Sequence, residues 1–233
     1  MKVIILASGV GKRLKPLTDN IPKSLLELNG ETIIEKQINA FIENNVTDFI
    51  ITTGPFKEKI TGFLQERYSD IDFTFVFNPK FDKTNYIYSL WLTKKHIDSD
   101  VFLIHGDVVF NKNLISKMLN RKENLVLVNK EIKRPEKDFK AIIEDDKVKG
   151  IGVNFFSDNA FFSLPFYKFF IDDFFVWMNA IEKEVNAGNL DIYAEDAFNK
   201  ISDKLVLKPL YFTDESCMEI DTIDDLNKAK SFY

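Results

Sequence analysis

Residues 2–25 constrain this chain more than any other segment. A short apolar run, Lys2–Ala7, leads directly into Ser8-Gly9-Val10-Gly11-Lys12-Arg13-Leu14, then Pro16-Leu17-Thr18 and Pro22-Lys23-Ser24-Leu25. The run is the right length for a buried strand. The loop after it combines two glycines, two adjacent cations and a third cation ten residues further on. Glycines let backbone N–H groups approach phosphate oxygens, and Lys or Arg neutralises the charge there. The carboxyl end of a first strand is also where open α/β sheets hold ligands. Two familiar phosphate loops fail on spelling. A Walker A loop needs four residues between its glycines, and here one residue separates Gly9 from Gly11. A dinucleotide fingerprint needs a third glycine where this chain has Leu14, and its loop does not normally carry charges such as Lys12 and Arg13. A mere tight turn at Gly9 and Gly11 would leave the cations and the Pro22-Lys23 pair unexplained.

The first half alternates strands and helices. Asp48–Thr53 reads as a strand ending at Gly54-Pro55, Phe73–Asn78 as another, and Val101–Ile104 as one running into His105-Gly106-Asp107. Between them, Thr32–Asn44 has helical spacing, with Thr32 as its cap and Glu35 and Lys36 facing out. Phe56–Tyr68 and Ile87–Lys95 read as further helices. Such alternation implies right-handed crossovers and a mainly parallel sheet covered on both faces. After Asn120 the pattern loosens. Leu125–Val128 is strand-like, and Lys140–Ile143 with Lys147–Val153 bracket a turn at Asp145-Asp146. Pro165 opens a predicted helix to about Ala187. Tyr193–Ile201 and Thr222–Phe232 read as helices and Leu205–Phe212 as a strand.

Composition narrows the function classes. The 233 residues suffice for one large α/β domain and are few for two. A net charge of −5 argues against broad nucleic-acid binding. Neither a membrane span nor a signal peptide is visible, and the single cysteine, Cys217, suits a reducing, cytoplasmic compartment. The only histidines, His96 and His105, stand at no telling spacing from a Ser, Cys or acid, so structural roles are expected and a zinc site is unsupported. The 23 phenylalanines, many in Phe155–Phe175, and Trp177 read as core.

Four side chains stand out for chemistry. The Arg13 guanidinium can grip two phosphate oxygens at once, and the Lys23 ammonium can act as a point charge. Asp107 projects from the end of an apolar strand, where an aspartate serves equally as a turn former. Asp221, in Met218-Glu219-Ile220-Asp221-Thr222, can be no more than the N-cap of the last helix. Asp224 and Asp225 fall in that helix's first turn and read as structural.

The stretch LASGVGKRLKPLTDNIPKSL resembles the signature of the nucleotidyltransferases that move a nucleoside monophosphate from an NTP onto a phosphorylated small molecule. The resemblance implies a single Rossmann-like three-layer α/β domain over 1–233, with a mainly parallel, mixed central sheet of nucleotidyltransferase type. A nucleotide-binding half would cover about 1–120 and an acceptor-binding half about 121–233. It further implies that Arg13 and Lys23 hold the triphosphate and act at the α-phosphorus, and that Leu6, Ala7, Ser8, Gly9, Gly11 and Lys12 line the nucleotide. Asp107, in Leu-Ile-His-Gly-Asp, and Asp221 match the family's Mg²⁺ aspartates. Base selection would fall to Ala7, Ser8, Gly54, Thr84, Asn85 and Ser89.

The segment Lys83-Thr84-Asn85-Tyr86-Ile87-Tyr88-Ser89-Leu90 is similar to that of the small cytidylyltransferases that activate phosphocholine and related head groups, which favours CTP. Tyr86, Tyr88 and Leu90 can equally be a packed helix start. Asp191-Ile192-Tyr193-Ala194-Glu195 resembles the family's acceptor pocket, so Asp191, Tyr193 and Glu195 are expected to bind the acceptor, although acids there also suit capping. The acceptors implied are phosphocholine, aminoethylphosphonate or phosphoglutamine, the last tied to bacterial capsule decoration. Two alternatives stay open: a sugar-1-phosphate nucleotidyltransferase using UTP or dTTP, and a non-catalytic nucleotide-sensing subunit. Lys133, Arg134 and Lys140 are available as acceptor-side cations, with surface charge the simpler reading. Oligomeric state is not legible.

Overall fold

The structure, a computed structural model, describes residues 1–132, 136–213 and 217–232. The first strand, β1 (Lys2–Ala7), alternates strictly: Ile4 and Leu6 enter one core, Val3, Ile5 and Ala7 the other. Two single turns, at Lys12–Leu14 and Lys23–Leu25, shape the loop that follows. A tiny hairpin, β2 (Glu27–Leu28) and β3 (Glu31–Thr32), turns through Asn29 and Gly30, both at positive φ, the pairing that a tight hairpin turn demands. Thr32 then caps α1 (Ile33–Ile42) through a reciprocal box with Glu35. Glu35 is therefore buried and bonded to Thr32 and Arg67, and it does not face out as its place in the sequence suggests.

The chain continues through β4 (Asp48–Thr53), α2 (Lys57–Arg67), β5 (Phe73–Phe77), α3 (Tyr86–Leu92) and β6 (Val101–His105). A short strand β7 (Val108–Phe110), α4 (Asn113–Leu119), β8 (Asn124–Asn129), the hairpin β9 (Lys140–Glu144) and β10 (Lys147–Gly152), and β11 (Ala160–Phe169) follow. The remainder comprises α5 (Ile171–Asn186), α6 (Ala194–Asn199), β12 (Leu207–Tyr211), β13 (Cys217–Glu219) and α7 (Ile223–Phe232). The main sheet runs β10-β9-β11-β6-β1-β4-β5, with β8 and β12 continuing from β11. It is parallel across β6, β1, β4 and β5, and β11 joins it antiparallel to β6. Helices α1, α2 and α4 bury one face of the sheet, and α3, α5 and α6 bury the other. The result is the three-layer α/β domain with a mixed central sheet that the alternation implies.

One expectation fails clearly. Residues 165–169 are strand, not the start of a helix, and Pro165 sits where the β11–β8 register shifts between Leu164 and Tyr167. A proline's missing N–H does no harm at such a bulge. Phe162, Leu164 and Phe166 enter one core while Tyr167 and Phe169 enter the other, so a period of two lay hidden in a run with apolar residues on both faces. The helix begins only at Ile171. Trp177 and most of these phenylalanines are core, as composition suggested, although Phe156 stays half exposed. No helix among the described residues is long and apolar enough to cross a membrane.

Candidate active site

A cleft of about 490 Å³ opens at the carboxyl ends of β1 and β6. Two glycines let the strand ends crowd together behind it. A Cβ on Gly54 would stand 2.2 Å from the Ser8 carbonyl oxygen, and one on Gly106 would stand 3.1 Å from that of Leu6. Gly54 thus supports the wall and is not among the lining residues. Leu6, Ala7, Ser8, Gly9, Gly11 and Lys12 do line the cleft. Gly11 has φ +62°, and the Thr18 hydroxyl donates to its carbonyl at 2.7 Å, which closes the loop on itself.

Asp107 is presented by the turn between β6 and β7. Gln37, fully buried on α1, pins that turn by donating from Nε2 to the carbonyls of His105 and Val108, at 2.9 and 2.6 Å. The returning chain pairs β13 with β7, and Ile220 N–H donates to the Asp107 carbonyl at 2.9 Å. This pairing brings residue 221 beside residue 107. Asp221 is not the cap of the last helix: Thr222 and Asp225 form that cap between them, and the Asp221 carboxylate is left for the cleft. A small core of Leu14, Leu26, Ile33, Val109, Met218 and Ile220 holds these loops together.

The charges then converge. Lys23 Nζ lies 2.7 Å from Asp107 Oδ2 and 2.6 Å from Asp221 Oδ1, and an Arg13 guanidinium nitrogen lies 2.7 Å from Asp221 Oδ2. Burial works against the Lys23 ammonium, but the carboxylates of Asp107, Asp221 and Glu219 outweigh it and raise its pKa. Burial likewise opposes the Asp107 carboxylate, and Lys23 with His105 more than compensates, so its pKa is lowered. Glu219 goes the other way: burial, then the negative charges of Asp107 and Asp221, raise its pKa.

Asp107 Oδ1 is buried without a hydrogen-bond partner among the described residues, and ligand atoms of His105, Asp107 and Glu219 lie within 4.8 Å of one another. Carboxylate oxygens suit a hard divalent cation, so this cluster is a candidate metal site, with Asp221 joined to it through Lys23. Sequence reasoning gave no role to Glu219 and a merely structural one to His105. The strand pairing that places Glu219 here is too short to announce itself, whereas His105 two residues before Asp107 was the available signal. Ser24 was also missed; its hydroxyl is buried in the cleft lining without a partner among the described residues.

Another part of the cleft lining is aromatic. Phe139 and Tyr193 meet edge to face at 4.9 Å, Tyr193 and Tyr86 lie 5.9 Å apart, and Tyr86 meets His105 at 4.5 Å. Asp191 and Asp138 also line the cleft, and Asp138 lies within electrostatic reach of Asp221 and Arg13. Thr84, Asn85 and Ser89 line the cleft too, and Asn85 also caps α3, its side chain accepting from Tyr86 N–H. Glu195 is not at the surface of the cleft. It is 1% exposed, and it accepts hydrogen bonds from the hydroxyls of Tyr86 and Tyr167 behind the wall. Burial raises its pKa despite those bonds. Lys140 is no surface charge either, since it is fully buried, donates to the Val153 carbonyl and lies over the Phe156 ring. Lys133 and Arg134 lie outside the described residues.

Known proteins share this architecture. The chain is 30% identical to the choline-phosphate cytidylyltransferase of Streptococcus pneumoniae across 99% of its own length and 97% of that protein's. It is 30% identical to the CTP:phosphoglutamine cytidylyltransferase of Campylobacter jejuni over 55% of this chain and 52% of that one. A solved structure of CTP:phosphocholine cytidylyltransferase from S. pneumoniae superposes with a TM-score of 0.83 at 26% identity, covering 99% and 97% of the two chains. The inositol-1-phosphate CTP transferase from T. maritima shares the fold at 21% identity, with a TM-score of 0.81 over 99% and 94%. The nucleotidyl transferase family matches residues 2–151, from β1 into β10, a span that includes the turn that carries Asp107. With its cations and carboxylates gathered at that same strand end, the chain belongs to the nucleotidyl transferase family.

Proposed function

We propose that this enzyme transfers CMP from CTP to a small acceptor that carries both a phosphate or phosphonate and an ammonium group, releasing pyrophosphate. The observation that carries the reading is what one cleft gathers: the cations Arg13 and Lys23 with the carboxylates of Asp107 and Asp221, and beside them the aromatic rings of Tyr86, Phe139 and Tyr193 with the carboxylate of Asp191. Its similarity to cytidylyltransferases acting on choline phosphate and phosphoglutamine supports CTP and that acceptor class.

The chemistry needs no protein nucleophile. An acceptor phosphate or phosphonate oxygen attacks the α-phosphorus in line, a new P–O bond forms, and the bond to the β-phosphate oxygen breaks. Arg13 and Lys23 bind the triphosphate and offset the charge that builds on its oxygens. Lys23 pairs with Asp107 and Asp221, and Arg13 pairs with Asp221, so triphosphate oxygens would compete with those carboxylates for the cations. Mg²⁺ suits the oxygen donors of Asp107 and Asp221, and when bound it would neutralise phosphate charge and help align the reacting groups. Tyr193, Phe139 and Asp191 orient the acceptor's ammonium group, which an aromatic face and a carboxylate both attract. Glu195 acts from behind, steadying Tyr86.

Residues 1–120 thus supply most of the nucleotide half and 121–233 most of the acceptor half, with Asp221 returning to the first. A place in the cytoplasmic synthesis of cell-surface polymers fits an activated zwitterionic head group. Pyrophosphate release is the test, measured with Mg²⁺, each NTP, and phosphocholine, phosphoethanolamine, aminoethylphosphonate, phosphoglutamine or glucose-1-phosphate. Turnover confined to CTP and a zwitterionic acceptor is expected. Turnover of UTP or dTTP with glucose-1-phosphate would overturn the reading in favour of a sugar nucleotidyltransferase.

A further inference from the structure

Asn78 was not singled out by the sequence, yet it directs a hydrogen-bond chain into the cleft. It follows β5, is 1% exposed and lines the cleft together with Ser8 and Ser89. Its Oδ1 accepts the backbone N–H of Lys80 at 2.8 Å. A backbone N–H can only donate, so this contact fixes which end of the amide is oxygen. The Nδ2 end therefore donates, to Ser89 Oγ at 2.9 Å and to Thr84 Oγ1 at 3.2 Å. Thr84 sends its own proton to the Lys80 carbonyl at 2.9 Å and is fully used.

Ser89 Oγ lies 2.7 Å from Ser8 Oγ. Of the pair, Ser89 is 1% exposed and Ser8 8% exposed, so Ser8 is the cleft-side member. A buried hydroxyl proton needs an acceptor. Ser89 has already received the Asn78 N–H, and its own proton goes to Ser8. The Ser8 proton is then left to point away from the chain of bonds, into the cleft.

We propose that Asn78 is a positioning residue that orients the relay Asn78→Ser89→Ser8, so that Ser8 offers an O–H donor to the nucleobase and favours cytosine over uracil. The proposal rests on the reading of the enzyme as a cytidylyltransferase. N3 of cytosine is a lone-pair acceptor, whereas N3 of uracil carries a hydrogen. A donor set at that edge satisfies the first base and faces a second donor on the other, the kind of mismatch that selects strongly because it strands polar groups.

Asn78→Asp keeps the size of the side chain and the acceptor for Lys80 N–H, but it replaces the donating nitrogen with a second acceptor. Ser89 would then donate to the carboxylate, Ser8 would donate to Ser89, and the cleft side of Ser8 would become a lone pair. The test is calorimetric binding of CTP and of UTP, each with Mg²⁺, to wild type, Asn78→Asp and Ser8→Ala. Wild type is expected to prefer CTP. Both variants should lose about tenfold or more of that preference, and in Asn78→Asp part of the change should come from tighter UTP binding, which loosened packing would not produce. An unchanged CTP-to-UTP ratio in both variants would overturn the relay while leaving the cytidylyltransferase reading intact. A wild type without preference for CTP would overturn that reading itself. If Asn78→Asp does not fold, Ser8→Ala decides: it removes only the outgoing hydroxyl, and an unchanged ratio there overturns the relay.

Discussion

The charged end and the aromatic end of the cleft are held in place by opposite means. At the charged end, Lys23, Arg13, Asp107 and Asp221 fix one another by ion pairs of 2.6 to 2.7 Å. They stand on short loops that a small satellite core and the β7–β13 pairing clamp together. At the aromatic end, rings are positioned by packing and by buried hydroxyl bonds to Glu195, whose carboxylate lies behind the wall. Under the proposed function the difference has a physical logic. A triphosphate brings several charges that compensate the cations it meets, so those cations can be paired and exchanged. A small ammonium head brings one charge and much apolar surface, so its end needs fixed rings more than mobile charges.

The contrast can be broken at several points. The largest effect is expected from Asp107→Ala and Asp221→Ala. Each should lower turnover by about a thousandfold or more, while circular dichroism still reports a folded α/β protein; near-normal rates in both would remove the charged end from the chemistry. Lys23→Met should lower kcat by about a hundredfold or more. It should also depress the melting temperature, because Asp107 and Asp221 would face each other with only Arg13 between them and solvent. Tyr193→Ala should act at the other end. Acceptor KM is expected to rise about tenfold with CTP KM unchanged, and a change in CTP KM instead would show that the two ends are not separate. The smallest effect is that of Gln37→Leu, which strands the carbonyls of His105 and Val108. Unfolding by denaturant should show a loss of about 1–3 kcal/mol, with kcat falling more than either KM because the Asp107 turn is loosened.

Legibility in the sequence followed the same divide. The charged end was readable because its residues lie in one loop, or directly after an apolar strand, so local spacing carried the information. Asp221 was readable only as an alternative between cap and site, and the structure removes the cap reading, because Thr222 and Asp225 do the capping. Glu219 and Gln37 were not readable, because their roles depend on long-range pairing to the turn at Asp107. At the aromatic end, acidic residues near Tyr193 looked alike, yet Asp191 reaches the cleft and Glu195 turns back toward two tyrosines. Nothing local distinguishes those two directions. The alternation in β11 was masked for a related reason: both faces of the strand are buried, the polar Ser163 and Lys168 included, so apolar residues fall on both faces and the period of two vanishes. Helix α5 then seemed to start at Pro165, whose real place is a bulge.

The central claim is that one cleft joins CMP from CTP to a zwitterionic phosphorus acid. The most direct measurement is ³¹P NMR of the purified protein incubated with CTP, Mg²⁺ and each acceptor of the panel in turn. The paired resonances of a new P–O–P anhydride are expected, formed with one zwitterionic acceptor and matched by an equal amount of free pyrophosphate. CTP left intact with every zwitterionic acceptor, or an anhydride formed only from a sugar phosphate, would contradict the claim.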